Sequence, residues 1–304
     1  MKKFLFILQF LLVIYAIFYI VNVDYSKLKN IFGIEQVFSI FILLLFHLVR
    51  AIRLRGIVRM YSCDFSLKDA LFLYYIGLAF AIVTPGRVGE VYRIKLLNEK
   101  HIPYVEAWEI FILEKYTDLI ALLSFFVFSI VMIVAPGFSA YLILLSTIIV
   151  SNIAIYLVFN ISNKLSRKRV FINKENIASK IIEFFSRFFA THYVDVIKIY
   201  LETFVGWMVF LLALWAGVSA VYVLSFIDLV GVHVLNSVAV SLPVSYMGYG
   251  IREFLLNALM FNNSSDVPYI AVITIQFTIF YIVSVLVGLL LYFYKICFRG
   301  SKYE

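Results

Sequence analysis

Two short apolar stretches of this chain each end in a proline- and glycine-rich cluster that also contains an arginine and a glutamate. The first break is residues 84–90 (TPGRVGE) and the second is residues 243–253 (PVSYMGYGIRE). Hydrophobic residues make up 64% of the sequence, so most of the chain must lie in lipid. Lipid neither hydrogen-bonds free backbone groups nor solvates charge. We therefore expect both breaks to line a polar cavity inside the protein.

The composition is that of an all-α polytopic membrane protein. Charged residues make up 14% of the sequence, and the mean hydropathy is +1.00, which excludes a soluble domain. The net charge of +8 comes from basic residues beside apolar runs, so we expect anionic lipid headgroups, and not nucleic acid, as partners. Two lone cysteines, Cys63 and Cys297, indicate neither a disulfide nor a metal site.

Run length separates full membrane spans from partial ones, because crossing about 30 Å of hydrocarbon takes roughly 20 helical residues. Six runs are long enough: residues 4–21, about 34–54, 119–135, 138–159, 203–224 and 267–294. Residues 70–83 and 229–242 would each rise only about 21 Å before a proline. We therefore predict about six full spans and two broken or re-entrant helical hairpins, over 70–115 and 229–261. The first run reads as a retained span, since no signal-peptide cleavage site follows it.

The basic segments suggest how the chain is oriented. Residues 50–69 and 160–202 are rich in lysine and arginine, which predicts a cytoplasmic location for both, and for the two termini. All four of these cytoplasmic placements are satisfied together if the first hairpin enters the membrane from the cytoplasm and the second enters from outside. Opposite entry is typical of an inverted repeat. We predict one membrane domain, residues 1–304, with halves 1–160 and 203–304. Residues 161–202 would join them as an amphipathic segment in the cytoplasmic interface.

The first break has the residues of an anion site. A helix starting after the break would point its positive N-terminal end, with Arg87 and Arg93, into the membrane interior, which suits a phosphate. Glu90 lies at helical spacing from both arginines and is expected to pair with one of them. The alternative is a purely structural pair that closes the hairpin. The residues expected to break the two helices are Pro85, Gly86, Gly89, Pro243, Gly248 and Gly250.

The second break carries Tyr249, Arg252 and Glu253. Adjacent helical residues point about 100° apart, so Arg252 and Glu253 need not pair with each other and are expected to pair with Glu90 and Arg87 instead. Four unpaired charges at mid-membrane would cost on the order of 10 kcal/mol, at roughly 2.5–3.5 kcal/mol each. Mutual pairing in a wet cavity would leave residual positive potential for an anionic headgroup.

A third cluster contains Glu114, Lys115 and Asp118. It is expected to open the span at residue 119. Glu114 and Asp118 lie four residues apart on one helical face, so both could face the interior. The alternative is an acidic cap at the helix N-terminus.

Several further polar residues lie in apolar runs. His47, Arg50 and Arg53 follow each other at helical spacing near the end of the second span, and we expect them to snorkel to the cytoplasmic interface. His233 and Gln276 are expected to be buried, hydrogen-bonded polar groups.

Known catalytic motifs are missing from the sequence. It has no G-x-x-x-x-G-K-[ST] loop, no cluster of Cys and His ligands and no G-x-S-x-G turn. The absence of these motifs excludes an ATPase and disfavours a self-contained transferase. No metal or cofactor is expected.

Three motifs in order resemble one family over nearly the whole chain: TPGRVGE-x-x-R at 84–93, EK-x-x-D at 114–118, and LP with G-x-G-x-RE at 242–253. They are similar to the membrane domain of lysylphosphatidylglycerol synthase, also called the flippase-like domain family. The resemblance implies an integral membrane domain that translocates a lipid. Fused bacterial enzymes of this family move aminoacylated phosphatidylglycerol to the outer leaflet, and related domains accompany glycosyltransferases that act on polyisoprenyl-linked sugars.

The resemblance also implies roles for individual residues. Lys115 stands where the family more often has arginine, which keeps the charge but loses bidentate geometry. The residues expected to bind a headgroup are Arg87, Arg93, Arg252, Lys115 and Tyr249. Those expected to pair charges are Glu90, Glu253, Glu114 and Asp118.

The sequence thus predicts a lipid translocase of the prokaryotic inner membrane, with both termini cytoplasmic. Its substrate would be an anionic phospholipid or a polyisoprenyl-phosphate-linked lipid. One alternative is an accessory subunit that docks a glycosyltransferase or lipid-modifying enzyme through residues 160–202. Another is a membrane-embedded transferase that uses Glu114 or Asp118 as a base. The sequence contains no aminoacyl-transfer domain, so we do not expect it to synthesise lysylphosphatidylglycerol.

Overall fold

The computed structural model describes residues 2–21, 33–61, 64–134, 147, 177–219, 221–242, 244–261 and 267–299. The regular elements of these ranges are helical. They are α1 (Lys2–Val21), α2 (Ile34–Arg59), α3 (Leu67–Ile82), a 3-10 turn (Pro85–Val91), α4 (Tyr92–Asn98), α5 (Tyr104–Val134), α6 (Ile177–Ser219), α7 (Phe226–Ser241), α8 (Ile251–Leu259) and α9 (Val267–Arg299).

Four of the described helices are long and apolar enough to cross a membrane. The spans are Ile34–Arg59, Tyr104–Met132, Val194–Ser219 and Pro268–Tyr294. The protein is therefore a multi-pass, all-helical membrane protein, as predicted. The predicted run 138–159 lies outside the described residues, apart from position 147, and the number of six spans stays a prediction.

Two helices are longer than the sequence suggested. α5 begins at Tyr104 and continues without a break to Val134, because neither glycine nor proline interrupts it. Glu114 therefore lies well inside the helix, and its interpretation as an acidic N-terminal cap is wrong. The amphipathic segment before residue 203 and the span after it likewise form one helix, α6.

The chain divides into two compact units. The first contains Met1–Ala107 and Gly206–Glu304, and the second contains Trp108–Val205. Within the second unit α5 packs on α6, where the Phe125 and Phe204 rings stack with centroids 4.8 Å apart. One turn away, the hydroxyls of Ser124 and Tyr200 are 3.0 Å apart. Both breaks belong to the first unit.

The segment from α3 to α4, which we call the first hairpin, folds back on itself. Ser66 caps α3 by accepting a hydrogen bond from the backbone N–H of Asp69 at 3.1 Å. The helix is 16 residues long, or about 24 Å, and it packs against both the 3-10 turn and α4. Lys100 Nζ then lies 2.6 Å from Asp69 Oδ1. The chain after the break thus returns to the point where α3 began.

The segment from α7 to α8, the second hairpin, repeats this arrangement. Ser225 and Asp228 form a capping box at the start of α7, which also has 16 residues. α8 packs back on α7. The open end is closed by aromatic rings, since Tyr269 stacks on Tyr222 at 4.1 Å and on Phe261 at 5.6 Å. Both halves therefore place a serine-capped, 16-residue helix before their break.

α2 and α9 run side by side in the same direction. Gln276 Nε2 donates to Ser39 Oγ at 2.9 Å, and eight residues further along both helices His47 Nε2 lies 2.9 Å from Ser284 Oγ. Two polar contacts at matching spacing fix this register.

The two hairpins open toward opposite ends of α9. α3 begins where α2 ends, because Arg59 Nε donates to Phe65 O at 3.2 Å, so the first hairpin opens toward the C-terminal end of α9. The second hairpin opens at Tyr269, near the N-terminal end of α9.

The packing of α9 on α3 depends on a glycine. A Cβ at Gly288 would lie 2.8 Å from Tyr75 O and 2.9 Å from the Ala79 side chain. Small residues allow membrane helices to approach closely.

Gly288→Ala should therefore force α9 away from α3 and lower the free energy of unfolding by about 1–3 kcal/mol, the usual cost of overpacking. Thermal unfolding in detergent measures the loss. Gly206→Ala is the matched control, because its Cβ would meet no atom closer than 3.5 Å. Equal stability of the two variants would contradict the close packing of α9 on α3.

Candidate functional site

The first elbow, residues 84–90, turns through two consecutive residues in the left-handed region. Gly86 has φ 59° and ψ 21°, and Arg87 has φ 58° and ψ 24°. Thr84 Oγ1 accepts a hydrogen bond from Gly89 N at 2.7 Å and donates to Phe80 O at 2.9 Å. A Cβ at Gly89 would lie 2.2 Å from Phe80 O, so only glycine fits there. Pro85 begins the 3-10 turn and Gly86 interrupts the helix as predicted, whereas Gly89 allows the turn to pack on the α3 backbone.

Glu90 holds both arginines of the first elbow. Its Oε1 lies 2.5 Å from Arg87 Nη2, and its Oε2 lies 3.2 Å from Arg93 Nη2. The sequence predicted a pair with one of the two, and both are present. Glu90 and Arg93 are buried, whereas the Arg87 side chain is 38% exposed.

Arg93 is fixed against α3. A Cβ at Gly77 would lie 2.3 Å from Arg93 Cγ and Cδ, so the arginine side chain crosses the helix where it has no side chain of its own. The buried Arg93 therefore holds Glu90 from one side, and Arg87 is the arginine of this elbow that is exposed.

The second elbow lies between α7 and α8 and also turns through left-handed residues. Met247, Gly248 and Gly250 have φ values of 52°, 79° and 80°. A Cβ at Gly250 would lie 2.4 Å from Leu12 O, so the elbow packs closely on the α1 backbone. Gly248 and Gly250 therefore act as predicted, and Pro243 lies outside the described residues.

The expectation that Arg252 and Glu253 pair with the first elbow is wrong. Arg252 binds its neighbour Glu253 through Nη2 and Nε, at 2.6 and 2.9 Å from Oε1. Glu253 also accepts from Thr274 Oγ1 at 2.7 Å and, through Oε2, from Gly250 N at 2.6 Å. Both charged side chains are fully buried. These additional donors orient the carboxylate so that it meets an adjacent arginine.

Aromatic rings enclose the Arg252 guanidinium. Its carbon lies 5.0 Å from the centroid of Tyr249 and 5.0 Å from that of Phe277, as in cation–π contacts. Tyr249 in turn bonds Thr278 Oγ1 through its hydroxyl at 2.5 Å. Arg252 and Tyr249, both expected to bind a headgroup, are thus packed against each other.

The two elbows meet beside the middle of α9. Asn236 Oδ1 of α7 accepts from Arg252 Nη1 and from the Tyr281 hydroxyl, each at 3.4 Å. Tyr281 also lies within electrostatic reach of Arg87, and α7 packs on the 3-10 turn of the first elbow. Tyr281 is the midpoint of the apolar stretch Pro268–Tyr294.

Sequence reasoning missed Asn236 and Tyr281. The signal for Asn236 was present, since it is an amide inside a short apolar helix, and buried intramembrane polar groups indicate function. Within the described residues no hydrogen bond uses the Asn236 Nδ2 donors. Nothing in the sequence distinguishes Tyr281 from the other tyrosines of the chain, which has 21 in total.

The charges of the two elbows differ. The first has two arginines and one glutamate, which leaves one net positive charge, and the second is a neutral pair. In the described part of the chain Glu90 is the only ion-pair partner of Arg87. Arg87, with 38% of its side chain exposed, is the cation of this elbow that an anion can reach, because Arg93 is buried.

Glu114, Lys115 and Asp118 belong to the second unit, whereas the contacts of the two elbows given above all lie within the first. Glu114 is buried, and Lys115 Nζ lies 5.6 Å from the Phe111 ring centroid. Their roles in headgroup binding and charge pairing stay predictions. Among the described residues, no group of three or more His, Cys, Asp or Glu could hold a metal ion.

The expectation that His47, Arg50 and Arg53 snorkel to the interface is wrong. They are 3%, 6% and 0% exposed, because their face of α2 packs inside the protein. Arg50 lies over the Trp207 ring at 5.1 Å. His233 and Gln276 are buried as expected. The expected hydrogen bond is confirmed for Gln276, whose Nε2 donates to Ser39 Oγ, and for His233 it stays a prediction.

Comparison with known proteins agrees with the motifs. The family model described as "Lysylphosphatidylglycerol synthase TM region" matches residues 6–288, which include both elbows. No curated protein and no solved structure matches the chain. The chain belongs to the family of lysylphosphatidylglycerol synthase transmembrane regions.

Proposed function

We propose that the protein is a lipid translocase that moves an anionic lipid between the leaflets of a prokaryotic inner membrane. The substrate is an anionic phospholipid or a polyisoprenyl-phosphate-linked lipid. Membership of the family supports a lipid-related membrane protein. The observation that carries the proposal is the half-exposed Arg87 of the first elbow, which contains two arginines and one glutamate.

Arg87 would bind the headgroup phosphate. A guanidinium offers several N–H donors in the planar arrangement that suits phosphate, and Glu90 uses only one side of it. Tyr281 lies within electrostatic reach of Arg87 and donates to Asn236 Oδ1, and the Asn236 Nδ2 donors would supply neutral hydrogen bonds to the rest of the headgroup.

The other charged residues of the elbows would hold this site in shape. Arg93 and Glu90 fix Arg87 against α3. Arg252 and Glu253 would anchor the second elbow to α9 through Thr274 and Phe277. We therefore assign Arg252 a structural function and keep direct headgroup contact for Arg87.

Alternating access would follow from the arrangement of the hairpins. Serine-capped arms of equal length and openings toward opposite ends of α9 support an inverted repeat. In that arrangement both hairpins are re-entrant, both termini are cytoplasmic, and the halves rock around the site between the elbows. The acyl chains would remain in the bilayer while the headgroup passes Arg87.

We propose transport without covalent chemistry, so the purified protein should leave the lipid unmodified. A glycosyltransferase or a lipid synthase would supply or use the lipid. The segment of this protein that docks such an enzyme would include Arg167, Lys168 and Arg169, which lie outside the described residues.

Arg87→Ala should lower headgroup translocation about 10- to 100-fold, because a hydrogen bond to a charged group contributes about 1.5–3 kcal/mol. The measurement is dithionite quenching of fluorescent phosphatidylglycerol in phosphatidylcholine vesicles that contain the purified protein. Lys95→Ala is the matched control, since Lys95 is an exposed cation of the same hairpin. Unchanged transport by Arg87→Ala would remove the mechanism.

Arg252→Ala should lower the free energy of unfolding by about 3–5 kcal/mol, because it leaves the fully buried Glu253 carboxylate without its cation. Arg252→Met/Glu253→Gln should lose less, since both charges are removed. Chemical unfolding in detergent measures both variants. If Arg252→Ala were as stable as the wild type yet did not transport, Arg252 would be a headgroup ligand and its structural assignment would be wrong.

A further inference from the structure

A buried histidine joins three helices of the first unit one turn from the proposed site. His47 lies midway along α2 (Ile34–Arg59) and is 3% exposed. Its Nδ1 lies 3.0 Å from the Tyr74 hydroxyl of α3, and its Nε2 lies 2.9 Å from Ser284 Oγ of α9. Ionisable side chains inside membrane spans commonly serve ion or proton pathways.

The hydrogen bonds assign the protons on this ring. Ser284 Oγ donates its proton to Phe280 O at 2.7 Å, so it must accept from His47 Nε2–H. In a neutral imidazole the other nitrogen is an acceptor, and Nδ1 then accepts the Tyr74 O–H. Both nitrogens are satisfied when the ring is neutral, and the tautomer is fixed by the network.

A second proton would oppose this arrangement. Among the described residues, the titratable or charged groups that face the ring are Arg50 on α2 and Tyr74 and Tyr75 on α3, whereas α9 contributes the Ser284 hydroxyl. A protonated His47 would place a second positive charge beside Arg50 in a low-dielectric interior. It would also turn Nδ1 into a donor, so the Tyr74 hydroxyl could no longer donate to it.

The contacts of His47 with Tyr74 and Ser284, which we call the junction, are connected to the proposed headgroup site in two ways. Ser284 lies one helical turn after Tyr281, which bonds Asn236. Tyr74 is on α3, the arm that ends at the elbow carrying Arg87. A change at His47 therefore acts on the helix that both elbows contact and on the arm that positions the exposed arginine.

We propose that His47 is a proton-binding site that couples headgroup movement to proton movement. The conformation described here requires a neutral ring. Uptake of a proton at Nδ1 reverses the hydrogen bond with the Tyr74 hydroxyl, which then accepts, and adds a second positive charge beside Arg50. This weakens the contact of α2 with α3 and α9 and permits the site to face the other leaflet, and loss of the proton restores the contact. The coupling rests on the proposed translocation, whereas the protonation of the junction does not.

The first test imposes a pH difference across phosphatidylcholine vesicles that contain the protein and fluorescent phosphatidylglycerol. One coupled proton allows at most about a tenfold change in the equilibrium per pH unit, so the wild type should show a severalfold change in net translocation. His47→Gln should transport at symmetric pH but lose this response, because an amide can donate to Ser284 and accept from Tyr74 but cannot take up a proton.

Two matched controls separate coupling from a general packing effect. Tyr74→Phe removes the hydroxyl that donates to Nδ1 and should weaken the pH response, whereas Tyr75→Phe, whose ring contacts His47 edge-on, should keep it. His233→Gln replaces another buried histidine and should also keep it. A wild type whose translocation ignores the pH difference, or a His47→Gln variant that responds like the wild type, would overturn the inference and leave translocation intact.

The second measurement does not require transport. In water an imidazole takes up its second proton between about pH 5 and 8, so an unfolded chain protonates His47 while this junction resists it. The unfolding temperature should therefore fall as pH is lowered from 8 to 5. His47→Gln should reduce this fall, whereas Tyr75→Phe, which keeps the imidazole of His47, should not. If no variant transported lipid but His47→Gln still reduced the fall, the proposed function would be wrong and the proton site would stand. An equal fall in His47→Gln and the wild type would overturn the proton site.

Discussion

The fully buried pair of Arg252 and Glu253 is the interaction on which the arrangement of the first unit depends. Charges placed in a membrane interior must find their partners inside the protein, because lipid offers none. This pair connects α8 to α9 through Thr274 and to α7 through Asn236, and it holds the guanidinium between two aromatic rings. The second elbow is therefore fixed at the middle of α9, where the first elbow can meet it.

The two elbows have similar backbones but different electrostatics. Each follows a serine-capped helix of 16 residues and turns through left-handed residues. The second contains a closed, neutral pair, whereas the first shares one glutamate between two arginines and exposes Arg87. A rigid, neutral element beside an open, positive one is a suitable arrangement for holding an anion reversibly. This difference in charge explains why an arginine and a glutamate need not have the same function in the two elbows.

α9 connects these features because it contacts polar groups along much of its length. Five of its side chains each hydrogen-bond a different residue of the first unit: Thr274, Gln276, Thr278, Tyr281 and Ser284. Hydrogen bonds between helices in lipid contribute modestly one by one, but together they set the register of α9 against α2 and both hairpins. The Gly288 contact with α3 adds close packing to that register. Movement of α9 would therefore reach both the elbows and His47 at once.

The sequence by itself determined the membrane class, the two broken helices, the glycines of the two elbows, the pairing of Glu90 by its spacing, and the family. These properties follow from local rules, namely run length, backbone freedom and helical periodicity. The sequence did not determine that α5 continues through Glu114, that Arg252 pairs with its own neighbour, or that Asn236 bonds both Arg252 and Tyr281. It also placed His47 at an interface, although the side chain is buried against Ser284, which is 237 residues away in the chain. Only the tertiary structure decided these points, because the partner of a polar side chain depends on which distant helix packs against its face.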